Sequence, residues 1–250
     1  MDNETEQENQ GGKQAYNFQI QPQTVDFQYR VTMAAFVDIL LTAAGYNADH
    51  NGFGIRKLNE INSSWVLLRL AVELDRFPLQ YEDIIVETWI EEVGRAMTSR
   101  NFCIKDKDGK IMGYAASNWA MIDLDTRHAK DLYLLEGIRE FTSGISAPIK
   151  KPIKLKSVDS EPFDVFKVKY SDIDINGHTS SMRYIEWVSD YFSLDDYRKK
   201  QVSRFEINYV NEMLFGDEVS IFANEYEPDD FRFEIRKNGT TSSRARIVFC

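Results

Sequence analysis

The sequence has few cysteines, few prolines and no apolar run long enough to cross a membrane. Its two cysteines, Cys103 and Cys250, lie far apart and form no CxxC or Cys/His ligand spacing, which argues against a disulfide framework or a zinc site. The richest apolar stretch, residues 32–44, is interrupted by Asp38 and is shorter than the roughly 20 residues that a bilayer requires. The chain has 250 residues, and 43% of them are hydrophobic. This length and composition suffice for the core of one large domain or of two small ones.

Acidic side chains outnumber basic ones, 40 to 30, and the net charge of -10 disfavours nucleic-acid binding. Residues 149–160 are the exception, because they hold four lysines and one aspartate. This basic linker is either a solvated connection or a docking strip for an acidic partner. The candidate docking lysines are Lys150, Lys151, Lys154 and Lys156. Residues 1–15 are acidic and lack the basic and apolar regions of an export signal, so we expect a disordered tail and a cytoplasmic protein.

The apolar pattern predicts the same order of elements twice. A helix is predicted at 31–44 from the spacing of Met33, Phe36, Val37, Leu40 and Leu41, with Gly45 as its cap and a strand at 25–31 before it. Strands are predicted at 65–74, 84–90, 99–104 and 111–122, then again at 163–170, 205–209, 218–225, 231–236 and 244–249, with a helix at 180–192. Chance similarity of hairpins is the alternative to an internal duplication. The two copies would be residues 16–148 and 161–250.

A polar cluster precedes the second predicted helix. It contains Asp172, Asp174, Asn176 and His178, with Gly177 between the last two. A capped turn has this composition. A catalytic site has it too, because a helix start presents unpaired backbone N–H groups that favour developing negative charge. Residues 31–34, which lead into the first helix, show nothing comparable, so we expect one catalytic half and one binding half. The other histidines, His50 and His128, are interpreted as exposed loop residues.

Longer segments resemble one family. The segment SDIDINGHTSSMRYIEWVSD from Ser171 is similar to the signature of acyl-acyl-carrier-protein (acyl-ACP) thioesterases, D-x-N-x-H followed by a helix with a Y-I-x-W core. The stretch GFGIRKLNEINSSWVLLRL from Gly52 and GRAMTSRNFCIKD from Gly94 resemble first-half segments of that family. The resemblance implies an α+β double hot-dog fold, two tandem repeats in which an antiparallel β-sheet wraps a long helix. It also implies hydrolysis of the thioester between a fatty acyl chain and the phosphopantetheine of acyl carrier protein, without a cofactor of the enzyme's own.

The family's polar residues fall on Asp174, Asn176, His178 and Glu212, the last within YVNEM. The cysteine that follows the glutamate in the plant pattern is Met213 here, which cannot form a thiolate. We therefore expect Glu212 or His178 to remove a proton from water. Asp174 would orient His178 and stabilise its cation, and Asn176 would hold the water or the carbonyl oxygen. The backbone N–H groups of His178 and Thr179 would receive the oxyanion.

Several first-half residues fit either a core or an acyl tunnel. They are Met33, Phe36, Val37, Leu40, Trp65 and Leu67. The basic linker and the resemblance favour acyl carrier protein as partner, while an acyl-CoA thioesterase and a non-catalytic acyl-thioester sensor are the alternatives. The oligomeric state stays open between a monomer and a homodimer.

Overall fold

The computed structural model describes residues 12–250, so most of the predicted acidic tail lies outside the described residues. Within that range the helices are α1 Met33–His50, α2 Ile55–Glu60, α3 Ser181–Ser189 and α4 Leu194–Lys199. The strands are β1 Gln14–Gln19, β2 Ser63–Leu74, β3 Asp83–Val93, β4 Thr98–Asp106, β5 Ile111–Asp123, β6 Pro162–Lys167, β7 Val202–Tyr209, β8 Glu218–Glu227, β9 Asp230–Lys237 and β10 Thr240–Phe249. No helix among these residues is long and apolar enough to cross a membrane.

All ten strands form one antiparallel sheet in the order β1-β3-β4-β5-β2-β7-β10-β9-β8-β6. From one edge inwards, the first half contributes β1, β3, β4, β5 and β2, and from the other edge inwards, the second half contributes β6, β8, β9, β10 and β7. In both halves the strands therefore lie in the order first, third, fourth, fifth and second along the chain. The halves join where β2 pairs with β7, in a register that sets Leu70 opposite Ile207. The sheet therefore shows the predicted internal duplication in its strand order, and its helices and continuous antiparallel sheet are those of a double hot-dog fold.

The core lies between the helices and one face of the sheet. Phe36 and Leu40 of α1, Ile185 of α3, and Phe205 and Phe233 of the sheet belong to one cluster that spans both halves. Side chains alternate between the two faces of a strand, so Glu206, Asn208 and Glu234 point to the opposite face. That opposite face is covered by the connection between the halves.

The linker between the halves packs against the outer face of the sheet and is not a solvated connection. Residues 142–161 contain no helix or strand. The Leu155 N–H donates to Asn208 Oδ1 at 2.8 Å, and the Val158 N–H donates to Glu234 Oε2 at 3.0 Å. Leu155 and Val158 are themselves buried. The basic linker is therefore clamped to the second half by backbone hydrogen bonds and apolar contacts.

Helix α1 is longer than predicted. Thr32 begins it, since its Oγ1 accepts the Ala35 N–H at 3.2 Å, but the helix continues past Gly45 to His50, so the predicted cap is wrong. Asn47 explains the extra turn, because its buried side chain bonds Arg100 at 2.7 Å and Gln14 at 2.7 Å. Tertiary contacts of this kind override the preference of glycine for a helix end.

The predicted strand at 25–31 is also wrong. Val25 and Val31 form an isolated bridge across a tight turn in which Tyr29 is left-handed, with φ 62°. Asp26 causes the turn, because its Oδ1 accepts the N–H groups of Gln28 at 2.8 Å and Arg30 at 3.0 Å. The first strand is instead β1, which pairs with β3 and begins at Gln14, before the predicted domain boundary at residue 16.

Candidate active site

The turn before α3 is built by Asp174. Its Oδ1 accepts the N–H groups of Asn176 at 2.8 Å and His178 at 3.3 Å, while its own N–H donates to the His178 carbonyl at 2.8 Å. Gly177 supplies the left-handed position, with φ 78°. Ser180 then begins the helix by accepting the Met182 N–H. His178 therefore lies directly before the capped N-terminus of α3, and its side chain is 29% exposed.

Glu212 comes from the loop between β7 and β8 and lies beside His178. Its Oε2 is 3.4 Å from His178 Nε2. The two segments are tied together, because the Thr179 N–H donates to the Met213 carbonyl at 2.8 Å. Lys237, the last residue of β9, also holds the Glu212 loop by donating to the Glu212 carbonyl at 2.9 Å. The structure therefore brings together the histidine and the glutamate that the sequence separates by 34 positions.

Asp217 fixes the far end of the Glu212 loop. Its Oδ2 accepts the Leu214 N–H at 2.8 Å and lies 3.3 Å from Lys237 Nζ. Burial acts to raise the pKa of Asp217, but the Leu214 N–H and the Lys237 ammonium outweigh it and lower that pKa. The loop is consequently held by an ionised carboxylate throughout the neutral range.

His178 and Glu212 line a cleft of about 340 Å³ together with Asn211, Leu214, Lys237 and Thr240. Glu212 keeps 44% of its side chain exposed. Tyr184 packs behind the loop, and burial raises its pKa to about 12, so this phenol stays protonated near neutral pH. A carboxylate and an imidazole therefore face solvent side by side in a cleft, an arrangement that can take a proton from water.

A residue that sequence reasoning missed, Arg127, reaches this site from the first half. Its Nη2 forms an ion pair with Glu212 Oε1, so the carboxylate lies between a guanidinium and an imidazole. The two residues are 85 positions apart, and no spacing or motif in the sequence connects them. The site is therefore shared between the two halves, whereas the sequence pattern predicts its polar groups in the second half alone.

Two expected interactions of the site differ in the structure. Within residues 12–250 no hydrogen bond joins Asp174 to the imidazole, because its carboxylate is turned to the backbone of its own turn. The N–H groups of His178 and Thr179 are already bonded, to Asp174 Oδ1 and the Met213 carbonyl. The expectation that these amides are free for an oxyanion is thus corrected. The exposed Asn176 side chain has no hydrogen-bond partner among the described residues, and this amide is the free donor of the turn.

The six predicted tunnel residues do not gather at this cleft. Met33 lines a separate apolar cavity of about 330 Å³ between the start of α1 and the end of α3. Phe36, Val37, Leu40 and Leu67 are buried in the main core. Trp65 packs on a second, smaller cluster around Phe53 and Leu58 and donates its indole N–H to the Phe53 carbonyl at 2.9 Å.

The four predicted docking lysines lie on the linker, which crosses the outer face of the sheet. Lys150, Lys154 and Lys156 are exposed. Lys151 differs, because its Nζ is 2.5 Å from Oε1 of the nearly buried Glu91. Three of the four ammonium groups are therefore available to an acidic partner, and the fourth anchors the linker.

The cysteines and the remaining histidines lie outside the cleft. Cys103 is buried, and burial raises the pKa of its thiol, which disfavours the thiolate. Cys250 is exposed. His50 ends α1 and lies 3.2 Å from the Tyr16 hydroxyl, and His128 lies in the turn after β5. Residues 12–250 contain no group of histidine, cysteine and carboxylate side chains suited to a metal ion.

The first half contains a turn equivalent to the Asp174 turn, contrary to expectation. Asp26, Gln28 and Arg30 stand where the second half has Asp174, Asn176 and His178, with the same backbone hydrogen bonds. Gln28 Nε2 and Arg30 Nη2 both donate to the Tyr197 carbonyl, at 2.8 Å and 3.1 Å. The first-half turn keeps the backbone scaffold, but its polar side chains are used to bind α4.

Comparisons with known proteins agree with this architecture. Family models described as acyl-ACP thioesterase N-terminal domain and C-terminal domain match residues 11–134 and 155–250. A solved structure of an acyl-ACP thioesterase from Bacteroides thetaiotaomicron is 44% identical, covers 98% of this chain and 100% of its own, and superposes with a TM-score of 0.92. The 12:0-ACP thioesterase from Umbellularia californica shares the fold, with a TM-score of 0.81, 21% identity and coverage of 96% and 98%.

Plant proteins are similar in sequence as well. Oleoyl-acyl carrier protein thioesterase 2 from Arabidopsis thaliana, a chloroplastic protein, is 27% identical over 205 residues, which are 77% of this chain and 55% of the plant protein. The oleoyl-acyl carrier protein thioesterase of Coriandrum sativum is 26% identical over 79% of this chain and 59% of its own. The chain spans about half the length of the curated relatives it matches.

Proposed function

The chain belongs to the acyl-ACP thioesterase family, and from that premise we propose that it hydrolyses the thioester between a fatty acyl chain and the phosphopantetheine of acyl carrier protein. The pairing of Glu212 with His178 in a solvent-accessible cleft is the observation that carries the proposal. The 44% sequence identity to a bacterial acyl-ACP thioesterase, over nearly the whole chain, supports the same substrate class.

In the proposed reaction a water oxygen attacks the thioester carbonyl carbon while Glu212 accepts the proton that the water loses. The tetrahedral oxyanion receives a hydrogen bond from the Asn176 side-chain amide, the free donor of the turn. The C–S bond then breaks, and the proton that Glu212 took from water passes through His178, whose Nε2 lies 3.4 Å from Glu212 Oε2, to the thiolate that leaves. The products are the free fatty acid and the phosphopantetheine thiol, which arrives with the substrate, so the groups that the enzyme contributes to the reaction are the side chains of Glu212, Asn176 and His178.

We assign the acyl chain to the apolar cavity that Met33 lines. Helix α3 extends from the cleft to this cavity, because it begins two residues after Thr179 and residues of its last turn, Glu186 and Ser189, line the cavity wall. At 1.5 Å per residue, the nine residues of α3 span about 13 Å. This separation matches a chain whose carbonyl lies at His178 and whose tail lies near Met33.

For the carrier protein, we propose docking on the exposed lysines of the linker, Lys150, Lys154 and Lys156. Charge complementarity supports it, because this linker is basic in a chain of net charge -10. We also propose a cytoplasmic location, which the free thiols of Cys103 and Cys250 support, since unpaired thiols are typical of reducing compartments.

Hydrolysis is tested with acyl carrier protein loaded with acyl chains of several lengths, by mass spectrometry of the released acid and titration of the released thiol. Stoichiometric release of both products by the wild-type protein is the expected result. Binding of acyl carrier protein without release would contradict the proposal and favour a sensor. Faster release from acyl-CoA than from the loaded carrier would change the substrate class.

A further inference from the structure

The ion pair of Arg127 with Glu212 joins the two halves of the chain at the cleft. Glu212 uses one carboxylate oxygen for Arg127 and directs the other at His178. We propose that Arg127 is a positioning residue of the first half, which fixes the orientation of the Glu212 carboxylate for the reaction. The inference rests on the proposed hydrolysis and on Glu212 as its base.

The loop that carries Arg127 is well held. Asp123, at the end of β5, accepts the N–H groups of Asp125 at 3.1 Å and Thr126 at 2.9 Å and lies 3.1 Å from Lys130 Nζ. The Thr126 N–H and the Lys130 ammonium lower the pKa of Asp123 to about 2, so this carboxylate stays charged at working pH. The guanidinium is therefore presented from a fixed turn.

Arg127 itself occupies a left-handed backbone position, with φ 59°. A residue with a side chain adopts this conformation at a cost, and asparagine and glycine tolerate it best. The loop nevertheless carries an arginine there, and its side chain reaches Glu212. The strained backbone and the long side chain together aim one charge at the candidate base.

The solvent exposure of the Arg127–Glu212 ion pair indicates whether it contributes more to folding stability or to turnover. The side chains of Arg127 and Glu212 are 40% and 44% exposed, and ion pairs this exposed to solvent contribute little to stability. Orientation of a reacting group has a larger effect, since a displacement of about 1 Å costs up to roughly 100-fold in rate. The pair should therefore matter for turnover much more than for folding.

The test compares Arg127→Asn, which suits the left-handed position, with Arg127→Lys and with Arg95→Gln. Arg95 is a matched control, because it is 76% exposed and pairs with Asp131 at 3.3 Å in the same half, away from the cleft. We expect Arg127→Asn to lower kcat about 10- to 100-fold with unchanged KM and unchanged melting temperature. Arg127→Lys should recover part of the loss, added guanidinium ion should partly rescue Arg127→Asn, and Arg95→Gln should behave as wild type.

A double-mutant cycle separates positioning from other roles. If Arg127 acts through Glu212, Arg127→Asn has no further effect on kcat in a Glu212→Gln background. Independent effects in the double variant, or a raised KM with normal kcat in Arg127→Asn, would overturn the inference, the latter by assigning Arg127 to substrate binding. Normal turnover of Arg127→Asn beside an inactive Glu212→Gln would reject the positioning role while leaving the proposed function intact. An inactive wild-type protein would reject the function itself.

Discussion

Asp26 and Asp174 accept the same pair of backbone N–H groups in the two halves of the chain, those two and four residues further on. Each aspartate also donates its own N–H to the carbonyl four residues later, at 2.7 Å and 2.8 Å. The duplicated turn is thus a structural feature of both halves, and only in the second half does it carry Asn176 and His178, the residues proposed to act in hydrolysis. In the first half the Arg30 side chain instead forms an ion pair with Asp26, with Nη2 3.1 Å from Oδ2.

The paired aspartates give a matched comparison. Asp174→Ala and Asp26→Ala each remove two hydrogen bonds to the backbone, which should lower the free energy of unfolding by about 1–2 kcal/mol, and Asp26→Ala should lose somewhat more because it also removes the ion pair with Arg30. Only Asp174→Ala should also lower kcat, because it releases the turn that carries His178. Urea unfolding and steady-state hydrolysis measure the two effects. An equal loss of activity in Asp26→Ala would show that the turns are not functionally distinct.

Glu212 is the proposed base, so its carboxylate should be needed for turnover. Glu212→Gln keeps the shape and should reduce kcat about 10²- to 10⁴-fold. Formate added to Glu212→Gly should restore part of the rate, because a small carboxylate can occupy the vacated space. Glu161→Gln, at an exposed position directly before β6, is the control. Rescue of His178→Gly by imidazole, with no rescue of Glu212→Gly by formate, would transfer the base role to His178.

The sequence predicted most strands within a few residues, as well as α3 and the duplication, because alternating apolar residues and turn signals are local features. The turn at Asp26 escaped it for a local reason as well. In the second half Gly177 marks the left-handed position, but Tyr29 occupies it in the first half and breaks no pattern. The apolar alternation across 25–31 then imitated a strand.

Tertiary contacts explain what else was missed. The last turn of α1 depends on Asn47 binding Arg100 of β4, and the site depends on Arg127 approaching Glu212 from 85 positions away. Neither pair has a spacing that a sequence pattern could reveal. The oxyanion expectation failed for a related reason, since the Thr179 N–H is bonded to a carbonyl of another loop.

If the acyl chain occupies the apolar cavity that Met33 lines, filling that cavity should change the preference for acyl chain length. Met33→Trp adds bulk to a cavity of about 330 Å³, so release of long acids should fall while release of shorter acids is retained. Leu41→Trp is a neighbouring control on α1, because Leu41 is partly buried and does not line the cavity. Competition between carrier proteins loaded with short and long chains measures the ratio. An unchanged ratio in folded Met33→Trp would place the acyl chain elsewhere.

Carrier docking predicts a salt-dependent KM. Replacing Lys150, Lys154 and Lys156 together with glutamine should raise KM for loaded carrier protein severalfold at low salt and flatten its dependence on ionic strength. A matched triple change at Lys57, Lys107 and Lys110 of the first half controls for net charge. Equal effects of both triple variants would indicate general attraction instead of a docking strip.

Acid stability should depend on Glu234, which is 1% exposed beneath the linker. Burial acts to raise its pKa, but the Thr241 hydroxyl, the Val158 N–H and two arginines outweigh burial and lower the pKa from 4.5 to about 2. Because the folded pKa lies below the unfolded one, the contribution is complete above pH 4.5 and is lost as the pH falls towards 2.

Glu234→Gln should therefore be less stable than wild type near pH 7 by roughly 1–3 kcal/mol, and this difference should shrink between pH 4.5 and 2. Urea unfolding at a series of pH values measures it. Asp159→Asn, at an exposed position of the same linker, should follow the wild-type curve. A Glu234→Gln curve that stays parallel to wild type down to pH 2 would mean that another carboxylate governs acid unfolding. A shrinking difference would instead assign the acid sensitivity to the contact that clamps the linker over the second half.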